Sequence, residues 1–251
     1  MLQLEMLAET LLREPADFAT FLARFHAELD PPPPGVVGFK SIAAYRTDLA
    51  IESVSPKVAK PRFDALKNAA KTTSFRLQDK CFIDFLIAQG LEIAAQYELP
   101  VQFHTGFGDR DLDLRRVNPL HLRPLLEDSR FQTVPFVLLH AAYPFSREAS
   151  YLASVYPQVY LDFGLAVPYL SVAGMRHAVQ MLLELAPTSK IMYSSDAHFI
   201  PKLYYLAAKW GRKILADCLE AAIGDLDLTP PEAEDIATAI LQRNARHLYR
   251  L

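Results

Sequence analysis

Four apolar runs in this chain stop on the same kind of residue, and that recurrence constrains the fold more than any other feature. VQF ends in His104, VLL in His140, VYL in Asp162 and IMYSS in Asp196. The runs lie within LPVQFHTG (99–106), PFVLLHAA (135–142), VYLDFG (159–164) and KIMYSSDA (190–197); VVGFKSI (36–42) is a fifth, with Lys40 toward its end. Short apolar runs bounded by polar or turn residues read as buried parallel strands. Between them lie helical stretches, at about 57–98, 146–156, 172–185 and 201–251. Parallel neighbours need a crossover of a dozen or more residues, so the alternation predicts βαβ units and an α/β fold. In a parallel sheet the strand termini share one edge, so the four ionisable side chains are expected to converge at a carboxyl-end mouth, where barrel active sites sit.

Residues 1–29 read as helix, with Leu4, Leu7, Leu11 and Leu12 and then Phe18, Phe21, Leu22 and Phe25 at spacings of three and four, divided at Pro15. Asp30-Pro31-Pro32-Pro33-Pro34-Gly35 stops any helix and makes a stiff connector. Asn118 caps a further helix with Pro119 at its first position. Without a fixed-period repeat or a composition break, one domain over 1–251 is the simplest reading. Residues 1–35 then form the helices and connector, and 36–251 carry the strands.

Composition narrows the partners. At 51% hydrophobic and 22% charged residues the chain has the make-up of a folded protein. A net charge of −3 and no basic stripe argue against nucleic acid. No run of about 18 apolar residues suggests a membrane span, and the acids of MLQLEMLAETLLREP stand where a secretory leader carries bases, so a cytoplasmic location is expected. Cys81 and Cys218 lie in helix-like surroundings and are expected to be structural thiols.

One buried histidine at a strand end is most simply a satisfied polar residue. Two histidines and two aspartates at equivalent positions argue instead for a shared metal or catalytic site, and imidazole and carboxylate are donors that zinc prefers. Around them stand weaker candidates. His198, two residues past Asp196, either lines the mouth or lies on the surface. Arg147 either meets an anionic substrate or is an exposed helix-start residue. Asp109 and Arg110 belong to an active-site loop or a solvated one. GFG lacks the rest of a dinucleotide fingerprint, and Ser194 and Ser195 lack a nucleophile elbow.

QFHTGFGD, LLHAAYPF, YLDFG and YSSDAH, in this order, resemble the second half of the amidohydrolase superfamily in its amidohydrolase-2 branch. The likeness is greatest to the amidohydrolase-like domain of FluG and nodulin-type proteins, and GFKSIAAYR, NPLHLRPLLED and ELAPTSK share it. The resemblance implies a TIM-barrel-like fold of the metal-dependent hydrolase type. It makes His104 the strand-5 metal ligand, His140 the strand-6 ligand or polarising group, and Asp196 the strand-8 ligand and proton acceptor. Lys40 lies where some members carry a carboxylated lysine, with a salt bridge or substrate contact as the alternatives.

One departure bears on all of this. The strand-1 His-x-His pair is absent, for no two of His26, His104, His121, His140, His177, His198 and His247 are separated by a single residue. Long crossovers consume the length, so the expectation is an incomplete barrel of about five βα units, strands 4–8. The expected function is metal-dependent hydrolysis, with zinc, of a small amide, ester or carboxylate-bearing molecule. The alternatives are a decarboxylase or lyase on the same fold, and a catalytically inactive barrel fragment associating through exposed strand edges.

Overall fold

The chain opens with a strand that the helical spacing of its first residues conceals. β1 (Leu2–Gln3) pairs in parallel with β2 (Phe39–Ser41), Leu2 opposite Phe39 and Gln3 opposite Lys40. Only then does helix α1 (Leu4–Arg13) begin, followed across Pro15 by α2 (Phe18–Ala27), whose cap Asp17 accepts from the Thr20 amide at 2.8 Å. The computed structural model describes residues 1–71 and 75–251. They form two units, the first comprising Met1–His104, Gly108–Val117 and His121–Pro135, the second Thr105–Phe107, Asn118–Leu120 and Phe136–Leu251.

The first unit continues from β2 through the short α3 (Ala43–Arg46), then α4 (Pro56–Ala69) and α5 (Lys80–Tyr97), to β3 (Val101–Phe103) and α6 (Arg123–Glu127). β3 lies parallel to β2, Lys40 opposite Gln102 and Ser41 opposite Phe103. Phe21, Phe63 and Phe82, fully buried, bring α2, α4 and α5 together, with Phe21 ring centroids 5.1 Å from Phe63 and 5.7 Å from Phe82. Gly90 of α5 allows α1 to approach, because a Cβ there would stand 2.7 Å from a Leu4 methyl. The same helical spacing that places Leu4, Ala8 and Leu12 inward places Glu5 and Glu9 inward with them.

The second unit runs β4 (Phe136–Leu138), α7 (Ser146–Val155), β5 (Val159–Asp162), the two-residue β6 (Gly164–Leu165), α8 (Ala166–Tyr169), α9 (Val172–Leu183), β7 (Ile191–Met192), α10 (Pro201–Gly224), α11 (Pro230–Thr238) and α12 (Asn244–Leu248). β4, β5 and β7 are parallel, Leu138 opposite Leu161 and Asp162 opposite Met192. Val137, Leu139 and Met192 share one apolar cluster with Leu248 of α12. A π-helical turn at Ala239–Arg243 leads into α12. There the Ile240 carbonyl accepts the Tyr193 amide at 3.1 Å, and Asn244 Nδ2 donates to the Thr188 and Ile191 carbonyls at 2.8 Å each.

All five strands expected from the apolar runs form, and β1 and β6 are added to them. Two differences touch the expected site. Lys40 is the middle residue of β2, with Ser41 closing the strand, and β7 ends at Met192, so Asp196 lies four residues beyond in an irregular segment.

Candidate functional site

In the second unit, the chain past β4 enters a turn that few side chains tolerate. His140, Ala141 and Ala142 have φ of 69°, 52° and 46°, three successive left-handed residues at a conformational cost of about 1–2 kcal/mol each. Asp196 is also left-handed, at φ 47°. Strain of this kind persists where the surroundings over-determine it. Here the Thr105 hydroxyl donates to the Leu139 carbonyl at 2.7 Å, and the Phe107 amide to the Tyr143 carbonyl at 2.7 Å. Between them Gly106, at φ 69°, lies so close to Ala142 and Tyr143 that a Cβ would overlap their backbones.

This turn presents His140, only 2% exposed, with Nδ1 3.2 Å from the Gly164 carbonyl and 3.9 Å from Asp196 Oδ2. A carbonyl only accepts, so Nδ1 carries the proton and Nε2 the lone pair. Asp162, at the end of β5, accepts on Oδ1 from the Gly164 amide and from the Ser194 hydroxyl, both at 2.8 Å. Its charge, together with burial as the larger cause, pushes the Tyr193 phenol up to about 12. The second unit thus gathers three of the residues singled out by the strand-end pattern, His140, Asp162 and Asp196.

In the first unit, His104 follows β3 directly and is 3% exposed. Its amide bonds the Ser41 carbonyl at 3.2 Å. The Tyr45 ring packs on the imidazole with centroids 4.3 Å apart, and a Cβ on Gly108 would overlap the Tyr45 hydroxyl and stand 3.0 Å from His104 Nε2. Beside α3 lies a buried polar group. Glu5 Oε1 accepts from the Ser41 hydroxyl at 2.6 Å and the Ile42 amide at 3.0 Å, while Glu9 meets Arg46 at 3.1 Å and the Leu77 amide at 2.8 Å. Burial outweighs these bonds for Glu5 and holds its carboxyl above the usual carboxylate range.

The remaining candidates stand apart from these groups. Lys40 is half-buried in the middle of β2. Arg147 makes a bidentate pair with Glu184 at 2.7 and 2.9 Å on the surface. His198 is exposed, its Nδ1 3.0 Å from the Asp196 carbonyl and its ring edge-on to Phe199. The Asp109 amide donates to the Tyr45 hydroxyl at 3.4 Å, and its carbonyl accepts the Leu112 amide at 3.1 Å. Cys81 of α5 and Cys218 of α10 are free thiols, and burial pushes Cys218 up to about 11. No helix among the described residues is long and apolar enough to cross a membrane.

Sequence reasoning passed over Tyr45, Glu5, Glu9 and the pairing of Ser194 with Asp162. Only the two glutamates left a signal, two acids four apart on the leucine face of α1.

The amidohydrolase family model of the second type matches residues 58–251, more than half of the chain. The chain belongs to the amidohydrolase-2 family. Protein FluG of Emericella nidulans is 36% identical over 227 residues, which is 87% of this chain and 26% of that protein. A Lactobacillus casei protein assigned to the metal-dependent hydrolases is 34% identical, superposes with a TM-score of 0.90, and is matched over 100% of this chain and 65% of its own. The chain therefore spans less than two thirds of either relative. A TIM-barrel protein of Bordetella bronchiseptica, 18% identical, shares the fold with a TM-score of 0.52, covering 94% of this chain and 64% of that one. This member of the family is thus an α/β protein of the TIM-barrel type, with parallel strands in each unit.

The family and the Lactobacillus relative point to a divalent metal. Imidazole and carboxylate suit such an ion in kind, yet a catalytic zinc takes three protein ligands. Among the described residues no group of three or more His, Cys, Asp or Glu is arranged to hold one. The described donors fit such an ion in kind, and His140 and Asp196 are a pair of them that the fold brings together.

Proposed function

We propose that this chain is a metal-dependent hydrolase of small amides, esters or carboxylate-bearing molecules, with zinc as its ion, and that His140 and Asp196 of its second unit carry the chemistry; His104 is proposed separately, as a metal ligand by its position after β3. The observation that carries this reading is the approach of His140 Nδ1 and Asp196 Oδ2 to 3.9 Å across two left-handed turns. Backbone strain concentrated on two ionisable residues marks a working site more often than a structural one. Bound, a divalent ion supplies a water acidic enough to lose a proton near pH 7.

The residues then divide the proton work. Asp196, with a carboxylate about a third exposed, is placed to accept the proton of the attacking water. The proton that Asp196 accepts would go on to the leaving group, and His140, neutral with its lone pair on Nε2, would hold the ion or meet a substrate proton there. A decarboxylase reading would use the same residues on a carboxylate substrate.

The test is metal content by mass spectrometry after dialysis against zinc, followed by turnover of a panel of small amides and esters. Zinc retention with turnover, and a fall of at least about 100-fold in Asp196→Asn, is the expected outcome. Unchanged turnover in that variant removes Asp196 from its role. A second reading, an inactive module, predicts neither retained zinc nor turnover.

A further inference from the structure

We infer that Asp162 is a positioning residue that sets the tautomer of His140 through the Gly164 peptide and the Ser194 hydroxyl. The inference rests on the proposed role of His140. Four observations carry it, all within the second unit. The Asp162 side chain is buried, 6% exposed, at the last residue of β5, where the ladder fixes it opposite Met192. Its Oδ1 takes two hydrogen bonds of 2.8 Å, from the Gly164 N–H and the Ser194 O–H. The peptide group that follows Gly164 then offers its carbonyl to His140 Nδ1 at 3.2 Å. Finally, a Cβ on Gly164 would overlap Ser194 Oγ and stand 2.9 Å from Asp162 Oδ1, so the close assembly requires glycine at that position.

The physical consequence runs one way along this chain of contacts. Asp162 and Ser194 fix residue 164, and residue 164 fixes where a carbonyl oxygen waits for the imidazole. With that acceptor in place the proton sits on Nδ1, and Nε2 presents its lone pair, whether to a metal ion or to a substrate proton. Without it neutral imidazole distributes its proton between the two nitrogens, and a share of the molecules presents an N–H where a lone pair is needed. Asp162 does this without touching the reacting atoms.

The experiment reads the tautomer directly, by nitrogen NMR of the intact chain with isotope-labelled histidine, without metal or substrate. The wild-type chain is expected to show His140 as the Nδ1–H form alone. Asp162→Ala is expected to show a mixture of tautomers, and kcat lowered about 10- to 100-fold at little-changed KM. Asp162→Asn is expected to restore both, because its amide oxygen accepts the same two donors. Ser194→Ala keeps the aspartate and its bond to Gly164, and is expected to fall between; it also serves if Asp162→Ala fails to fold. A pure Nδ1–H signal in both Asp162→Ala and Ser194→Ala, or an Asp162→Asn chain as mixed as the alanine variant, overturns the inference. Because the tautomer is read without turnover, a chain that responds in the spectrum and hydrolyses nothing overturns the proposed function and leaves this inference standing.

Discussion

The two units hold a histidine past a strand end by opposite means. In the second, the backbone does most of it: left-handed residues at 140, 141 and 142 turn His140 in, the Phe107 amide and the Thr105 hydroxyl hold that turn, and the Gly164 carbonyl meets the ring. In the first, side chains do it. Tyr45 packs on His104, Arg76 donates to the Tyr45 carbonyl at 2.9 Å, and the Glu9 carboxylate holds Arg46 next in sequence. A backbone-set group has few ways to relax, whereas one set by side chains can follow a neighbour's shift. The second unit is therefore expected to be the sharper chemical device and the less forgiving of substitution.

The largest expected effect tests the chemical half of that contrast. Asp196→Asn should lower kcat/KM by about 100-fold or more, while Tyr45→Leu, which removes the brace on His104, should cost about tenfold. Equal losses would erase the distinction. Next come two glycines two residues apart. Gly106→Ala drives a methyl into the backbone of Ala142 and Tyr143, and should destabilise the chain by about 3 kcal/mol in urea unfolding. Gly108→Ala meets the end of the Tyr45 side chain and His104, and should cost roughly 1 kcal/mol. The reverse order would show the first unit to be the stiffer.

A smaller effect has the opposite sign. Ala141→Gly relieves a left-handed alanine at φ 52° and loses chain entropy, so stability should rise by about 0.5 kcal/mol while turnover falls as His140 loosens. A loss of stability on that substitution would mean that the turn is not strained.

The smallest expected effect is a pH dependence in the first unit. Burial raises the Glu5 carboxyl, so its neutral form is the one the fold favours. That contribution is fully present below the ordinary carboxyl value and is lost as pH rises through the raised value. Glu5→Gln keeps an oxygen for Ser41 and Ile42 and should flatten that part of the stability profile. A profile as steep as that of the original chain would assign the slope to other groups.

Much of this architecture was legible in the residues, for a physical reason. VQF, VLL and VYL are apolar because both faces of a parallel sheet are covered, and His104, His140 and Asp162 stand where that cover ends. β1 was not legible, since two residues carry no periodicity and Leu4 begins a helix at once. Nor was the turn at His140, because HAA contains no glycine and its left-handed geometry is imposed by Thr105, Gly106 and Phe107, far away in sequence. Tyr45 belongs to the same class, an ordinary tyrosine until the fold lays it on His104. Tertiary contacts of this kind leave no local pattern to read.

The π-helical turn near the carboxyl end acts as a counterfeit strand. Met192 uses its carbonyl toward β5, so the Ile191 carbonyl and the Tyr193 amide face the other way, where a further strand would bind. Ile240 and Asn244 answer both groups from within the chain. A bare parallel edge recruits passing chains and seeds fibrils. Here the recruiting groups are already engaged, so the β7 edge stays quiet at high concentration so long as the last turns of the chain remain docked.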